Sequence, residues 1–151
     1  MTSIVRGSTL FMNKKKIANS VLLNVGCGPQ TLPDFINLDW DWTTKIDIVW
    51  DITKKPYPLK DASLEGIYTE HCLEHISFAD CETNLREFHR LLKPGGNLRI
   101  IVPDGELYVD IYERRKRGEE IYMPYEREEG YPTPMSRING IFRNHGHQFI
   151  S

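Results

Sequence analysis

The chain lacks most of the features that would fix its class at once. It has three cysteines, Cys27, Cys72 and Cys81, an odd number with no CxxC pair among them. That pattern speaks against a disulfide framework, and a reduced, cytoplasmic protein is expected. It has no excess of positive charge: the formal net charge is -2 and the isoelectric point about 6.2, so no broad field draws in DNA or RNA. No apolar run approaches the ~20 residues of a membrane span, and none beside the basic triplet Lys14, Lys15 and Lys16 is long enough for a secretory signal. No internal repeat or low-complexity tract is present. At 151 residues, one domain can bury most of its apolar surface without staples.

What is present alternates between two periods. Val21 to Val25 is apolar except for Asn24 and stops at Gly26, which reads as a strand buried on both faces. Phe35 to Leu38 and Ile46 to Trp50 are short β-prone runs closed by Asp39 and Asp51, and Leu64 to Thr69 follows the turn-rich "KKPYPLKDAS". Cys81, Leu85, Phe88 and Leu92 step by four, three and four, a helical stripe ended at "KPGG", where Gly95 and Gly96 permit a left-handed turn. Asn97 to Val102 returns as a fifth strand. Asp104 is placed to cap a helix carrying Leu107, Tyr108, Ile111, Tyr112 and Arg115 and ending near Gly118. The run "ERRKRGEE" at its end reads as a solvated face. Strands interleaved with helices predict a parallel sheet in an α/β fold, with ligands at the carboxyl ends of the strands. The boundaries expected are a lead-in over 1–19, a core over 20–118 and a loop-rich tail over 119–151.

The glycine turn after the first strand is short of a third glycine. A dinucleotide site opens a full helix whose amino terminus holds the pyrophosphate, with an acidic residue about 20 positions on. Here Gly26 and Gly28 are followed by Pro29 and Pro33, and only thirteen positions separate Gly26 from Asp39, too few for that helix. A ligand without a diphosphate does not need it. S-adenosylmethionine needs close backbone approach at glycines and an acidic group for its ribose diol.

The succession "LLNVGCG", "INLDW", "DIVWDITKKPYPLKDASLEGIYTEHCLEHI" and "LREFHRLLKPGGNLRIIVPD" resembles the class I S-adenosylmethionine-dependent methyltransferases. It looks most like a methyltransferase family associated with sugar and cell-envelope gene clusters. The resemblance covers roughly residues 20 to 112, and "EFHRLLKPGG" to "VPD" is its most specific part. It implies a Rossmann-like, mostly parallel sheet of about five strands in the order 3-2-1-4-5. It further implies that Asn24, Gly26, Cys27 and Gly28 line the methionine side of the cofactor. Asn24 replaces the acidic residue common there and accepts from the ammonium without a formal charge, a weaker contact. Asp39 is expected to take the ribose hydroxyls, Asp51 and Ile52 to read the adenine, and Trp40 or Trp50 to cover its face. Glu70 closes the cofactor side at the fourth strand. The usual C-terminal β-hairpin of the family is expected to be missing, since the chain stops after "NHGHQF". That leaves the fifth strand as an open edge, so a homodimer, or the tail folded over that edge, is expected.

The fourth strand ends in "TEHCLEHI". If Glu70 to Ile76 is helical, His71, Glu74 and His75 share one side, next to the acceptor pocket that the resemblance implies. Three roles are open. One histidine can be the general base, since the ordinary imidazole pKa of about 6.5 suits neutral pH. The cluster can hold a divalent metal with His145 or His147, as in the ExxEH motif that it is similar to, although His71 stands for the first Glu. Or Glu74 and His75 simply brace the turn. The function expected is methyl transfer from S-adenosylmethionine, yielding S-adenosylhomocysteine, to an oxygen or nitrogen of a small molecule, a saccharide among the candidates, with no nucleic-acid or membrane partner. The alternative is a non-catalytic module that binds cofactor or a partner.

Overall fold

The computed structural model describes residues 11–41, 45–122, 133–143 and 148. Five strands form one sheet in the order β3-β2-β1-β4-β5, every neighbouring pair parallel: β1 (Leu22–Val25), β2 (Ile36–Asp39), β3 (Ile48–Val49), β4 (Leu64–Glu70) and β5 (Leu92–Ile101). The expectation of a mostly parallel sheet in this order is met, and all of it is parallel. The arrangement is Rossmann-like, with the order reversing between β1 and β4, where such sheets open a ligand crevice.

Register divides the sheet into an apolar and a polar face. Leu23, Val25, Ile36, Leu38, Ile48 and Ile67 fall on one side, and with Leu64, Tyr57, Leu73, Phe88 and Leu91 they make the main core. Phe88 and Leu91 come from helix α2 (Phe78–Leu91), whose first turn is capped by the Ser77 hydroxyl accepting from the Asp80 amide at 3.1 Å. The helix begins earlier than the stripe read in the sequence, at Phe78, and ends at Leu91; of that stripe Phe88 is buried and Cys81 half-buried, but Leu85 is 40% exposed and Leu92 already belongs to β5, so the buried side is Asn84, Glu87, Phe88 and Leu91.

The "KKPYPLKDAS" stretch is more ordered than its turn-rich composition predicts. Tyr57 is 2% exposed, its hydroxyl donates to Asn84 Oδ1 at 2.5 Å, and its amide donates to Glu87 Oε1 at 2.5 Å. Arg90 clamps the same stretch, donating to the Leu59 carbonyl and pairing with Glu87 and Asp61. These partners lie 27 to 33 positions away in sequence, beyond any local pattern.

The opposite face is polar where a helix usually covers it. Asn24, Asn37 and Asp47, 2%, 4% and 7% exposed, form a chain across β1, β2 and the approach to β3. Asn24 Nδ2 donates to Asn37 Oδ1 at 3.2 Å, Asn37 Nδ2 to Asp47 Oδ2 at 3.3 Å, and Asn13 Nδ2 to Asp47 Oδ1 at 2.9 Å. Asn37 also accepts from the Leu32 amide at 2.8 Å and donates to the Leu32 carbonyl at 3.0 Å. The proline-bearing connection from β1 to β2 is thus held by side-chain amides. Asn13 in turn caps α1 (Lys14–Asn19), a short helix whose Ile17 packs on the main core.

Strand β5 runs through the "KPGG" segment, where the register jumps from Leu64↔Leu92 to Gly66↔Asn97 and Gly95 adopts φ +81°. Helix α3 (Gly105–Lys116) is capped by Asp104 as expected, and Gly118 follows at φ +87°. The tail that reads as loop-rich carries a further helix, α4 (Pro134–Arg143), packed on α3 around Tyr108, Ile111 and Ile138. The basic run is neutralised locally: Arg114 and Arg117 pair with Glu119, and Lys116 with Glu113. That matches the solvated face expected of it. No helix is long and apolar enough to cross a membrane, among the described residues.

Candidate functional site

Two glycines and one carboxylate shape the carboxyl end of the sheet. Gly26 and Gly28 have φ of +65° and +48°, so the chain leaves β1 through a left-handed turn that only glycine enters without strain. A Cβ on Gly26 would lie 2.1 Å from Cys72 Sγ, so the turn is pressed against the residue that follows His71. The turn is tied to β2 by Asp39, which is 9% exposed. Asp39 Oδ2 accepts from the Gly28 amide at 2.8 Å and Oδ1 from the Asp41 amide at 3.0 Å. One bond to each oxygen leaves each a second lone pair for a ligand hydroxyl.

Beside the turn lies a cleft of about 100 Å³ lined by Asn24, Gly26, Cys27, Gln30, Leu32, Tyr68 and Glu70. It brings together four residues expected there, Asn24, Gly26, Cys27 and Glu70. Both amide hydrogens of Asn24 are committed, to the Gln30 carbonyl at 3.1 Å and to Asn37, so its oxygen is the atom left to accept from a ligand. The cleft holds the Glu70 carboxylate and no lysine or arginine. That chemistry fits the cationic amino-acid and sulfonium end of the cofactor implied by the resemblance, and it is poor for a phosphate. Pockets for whole ligands start at roughly 300 Å³, so the cleft takes one end of such a molecule.

Residues expected at the adenine end are not gathered into this cleft. Trp40 is 75% exposed at the end of β2. Asp51 turns to its own loop, accepting from the Thr53 amide at 2.9 Å and hydroxyl at 2.7 Å. Burial acts to raise its pKa, but those bonds, with Lys54 and Lys55 nearby, hold it below the ordinary carboxylate value. Ile52 and Trp50 pack against the main core, and the Trp50 indole donates to the Lys54 carbonyl at 3.1 Å.

The histidine motif forms differently from the continuous helix expected over Glu70 to Ile76. Strand pairing runs one residue past β4, because the His71 amide donates to the Ile101 carbonyl at 3.0 Å, and His71 then turns left-handed at φ +49°. Only Leu73–His75 is helical, a single 3-10 turn. His71 and Glu74 nevertheless meet: Nδ1 lies 3.2 Å from Oε1 of a Glu74 that is fully buried, while the His71 side chain is 43% exposed. Glu74 Oε2 has no hydrogen-bond partner among the described residues, and the backbone carbonyl of Glu74 accepts from the Gln148 amide at 2.6 Å. His75 is half-buried. His71 is thus a left-handed non-glycine residue whose ring is held on a buried carboxylate at the end of β4.

No group of three or more His, Cys, Asp or Glu able to hold a metal occurs among the described residues, and His145 and His147 lie outside them. Both turn cysteines are poor nucleophiles. Burial first, and the Asp39 charge after it, push the Cys27 thiol up to about 12, and burial does the same for Cys72.

Tyr68 was not among the residues expected at the site. Its hydroxyl donates to Glu70 Oε2 at 2.5 Å, a bond that raises its pKa, and its ring meets Phe35 edge-on, with centroids 6.5 Å apart. Alternation along β4 is the signal that finds it, since Gly66, Tyr68 and Glu70 share the polar face with Asn24.

A family model described as a methyltransferase domain matches residues 3–151. No curated protein and no solved structure matches the chain.

Proposed function

The chain belongs to the methyltransferase-domain family, and from that premise we propose that it transfers a methyl group from S-adenosylmethionine to a hydroxyl or amine of a small molecule. The observation that carries the reading is the pairing of a cation-compatible glycine-turn cleft with the His71–Glu74 couple one residue beyond Glu70. When bound, S-adenosylmethionine supplies an electrophilic methyl on a sulfonium sulfur. Asn24 and Glu70 hold the amino-acid end, the backbone at Gly26 and Gly28 allows close approach, and Asp39 takes the ribose diol. Trp40, Asp51 and Ile52 border the adenine end.

His71 is the residue that takes the acceptor's proton. In this role Glu74 Oε1 accepts from Nδ1–H, and the tautomer protonated there carries its lone pair on Nε2. With the methyl donor and acceptor bound, His71 Nε2 would take the proton that the acceptor gives up as it is methylated. Glu74 acts through His71 by orienting it, and His75 completes the turn. Alignment supplies most of the rate and the base a smaller share.

Isothermal titration of the folded protein with S-adenosylmethionine and S-adenosylhomocysteine tests the cofactor, and an absence of heat with both sinks the reading. In an acceptor screen, His71→Ala is expected to lower kcat about 100-fold with a smaller change in acceptor KM. Glu74→Gln is expected to lose less and to shift the pH profile. Unchanged kcat in both variants refutes the base. The small cleft and the uncharged Asn24 favour one competing reading, a domain that binds cofactor or a partner without turnover. Formation of S-adenosylhomocysteine that depends on His71 rules it out.

A further inference from the structure

A second concavity of about 320 Å³ lies on the polar face of the sheet and shares Leu32 and Tyr68 with the cofactor cleft. It reaches the lower limit for sites that bury a small ligand. It exists because the β1–β2 connection is a proline loop braced by amides, and because Gly66 on β4 carries no side chain to fill it. The two concavities differ in charge. The cleft contains Glu70 and no cation, whereas the groove contains Arg99 and no acid. The Arg99 guanidinium sits 5.9 Å above the Tyr68 ring, and Arg99 forms no ion pair among the described residues. Phe35 and Tyr68 present two rings inclined at 68°. Asn97, exposed at the rim, offers a donor and an acceptor.

We propose that this groove seats the methyl acceptor, a hydroxylated ring compound bearing one anionic group. The inference rests on the methyl-transfer reading of the neighbouring cleft. The ring lies against Phe35 and Tyr68, the anion meets Arg99, and a ring hydroxyl points along Tyr68 towards Glu70 and the cofactor's methyl. A guanidinium on an aromatic floor, with no ion pair among the described residues, recognises a carboxylate or phosphate on a flat or apolar ring face. Sugar acids and phenolic acids share that chemistry.

The test uses the full chain saturated with S-adenosylhomocysteine, titrated by ligand-observed NMR with glucuronate, with 4-hydroxybenzoate, and with the methyl ester of each. At least one acid is expected to bind, with its ester about tenfold weaker, and Arg99→Gln is expected to weaken the acid about tenfold and the ester hardly at all. Binding of glucuronate alone assigns a saccharide acceptor, and of 4-hydroxybenzoate alone a phenolic one. The proposal is overturned if neither acid binds, if ester and acid bind equally, or if Arg99→Gln leaves the acid's affinity intact. Heat from S-adenosylhomocysteine without acid binding removes the groove assignment alone. Acid binding to a protein that gives no heat with the cofactor product overturns both the methyl-transfer reading and the acceptor role.

Discussion

Asn24 shows how far one side chain's role can be read before its neighbours are known. Sequence places it where an acidic residue is common, which makes Asn24→Asp look like a repair. In the structure both amide hydrogens donate to oxygens, of Gln30 and Asn37, and Asn37 cannot turn its amide without giving up Leu32, Phe35 and Asp47. A carboxylate there faces two acceptors while 2% exposed. Asn24→Asp is therefore expected to lower stability by about 3 kcal/mol, roughly 6–12 °C in Tm. A thermal melt showing equal or higher Tm contradicts this. The ribose role expected of Asp39 rests on its place at a strand end, and in the structure its carboxylate accepts from the Gly28 and Asp41 amides. The second asparagine, Asn37, was not legible, since the five hydrogen bonds of its side chain depend on a loop and a neighbouring strand that no spacing reveals.

At the scale of elements, those set by a hydrophobic period were legible and those set by long-range partners were not. Helix α2 and the alternation of β4 show in the sequence because each buries one side. The 3-10 turn at Leu73–His75 does not, because a strand bond from His71 to Ile101 decides where the helix starts. Helix α4 was hidden by the prolines, glycines and serines around it, which are caps and ends as often as loops. Strand β5 presents an unpaired edge, because among the described residues it pairs only with β4 and the described helix of the tail packs on α3. Leu98 and Ile100 beside that edge are 38% and 37% exposed. Antiparallel meeting of two such edges gives a homodimer, expected to appear by light scattering as concentration rises and to weaken with Ile100→Lys. A monomer at every concentration, in both proteins, removes the prediction.

For the molecule as a whole, the buried thiols set a limit on the alkaline side. Cys27 and Cys72 are held up to about 12 against an ordinary 9.0. The folded state keeps these protons where the unfolded state releases them. The stability involved is fully present below pH 9 and is lost as pH rises from 9 towards 12, at up to about 1.4 kcal/mol per pH unit for each thiol. Urea unfolding at pH 8 and pH 10.5 is expected to show the loss, and Cys72→Ala to make it shallower. A flat profile contradicts it. The amide chain across the polar face, for its part, ties the amino-terminal lead-in to the glycine-turn cleft. Asn13 holds Asp47, Asp47 holds Asn37, Asn37 holds Asn24, and Asn24 lines the cleft. Coupling between sites is reciprocal. On the methyl-transfer proposal, an affinity tag that strains the backbone at residue 13 is expected to weaken binding of S-adenosylhomocysteine, and that ligand is expected to slow amide exchange at residue 13; equal affinity with and without the tag contradicts this.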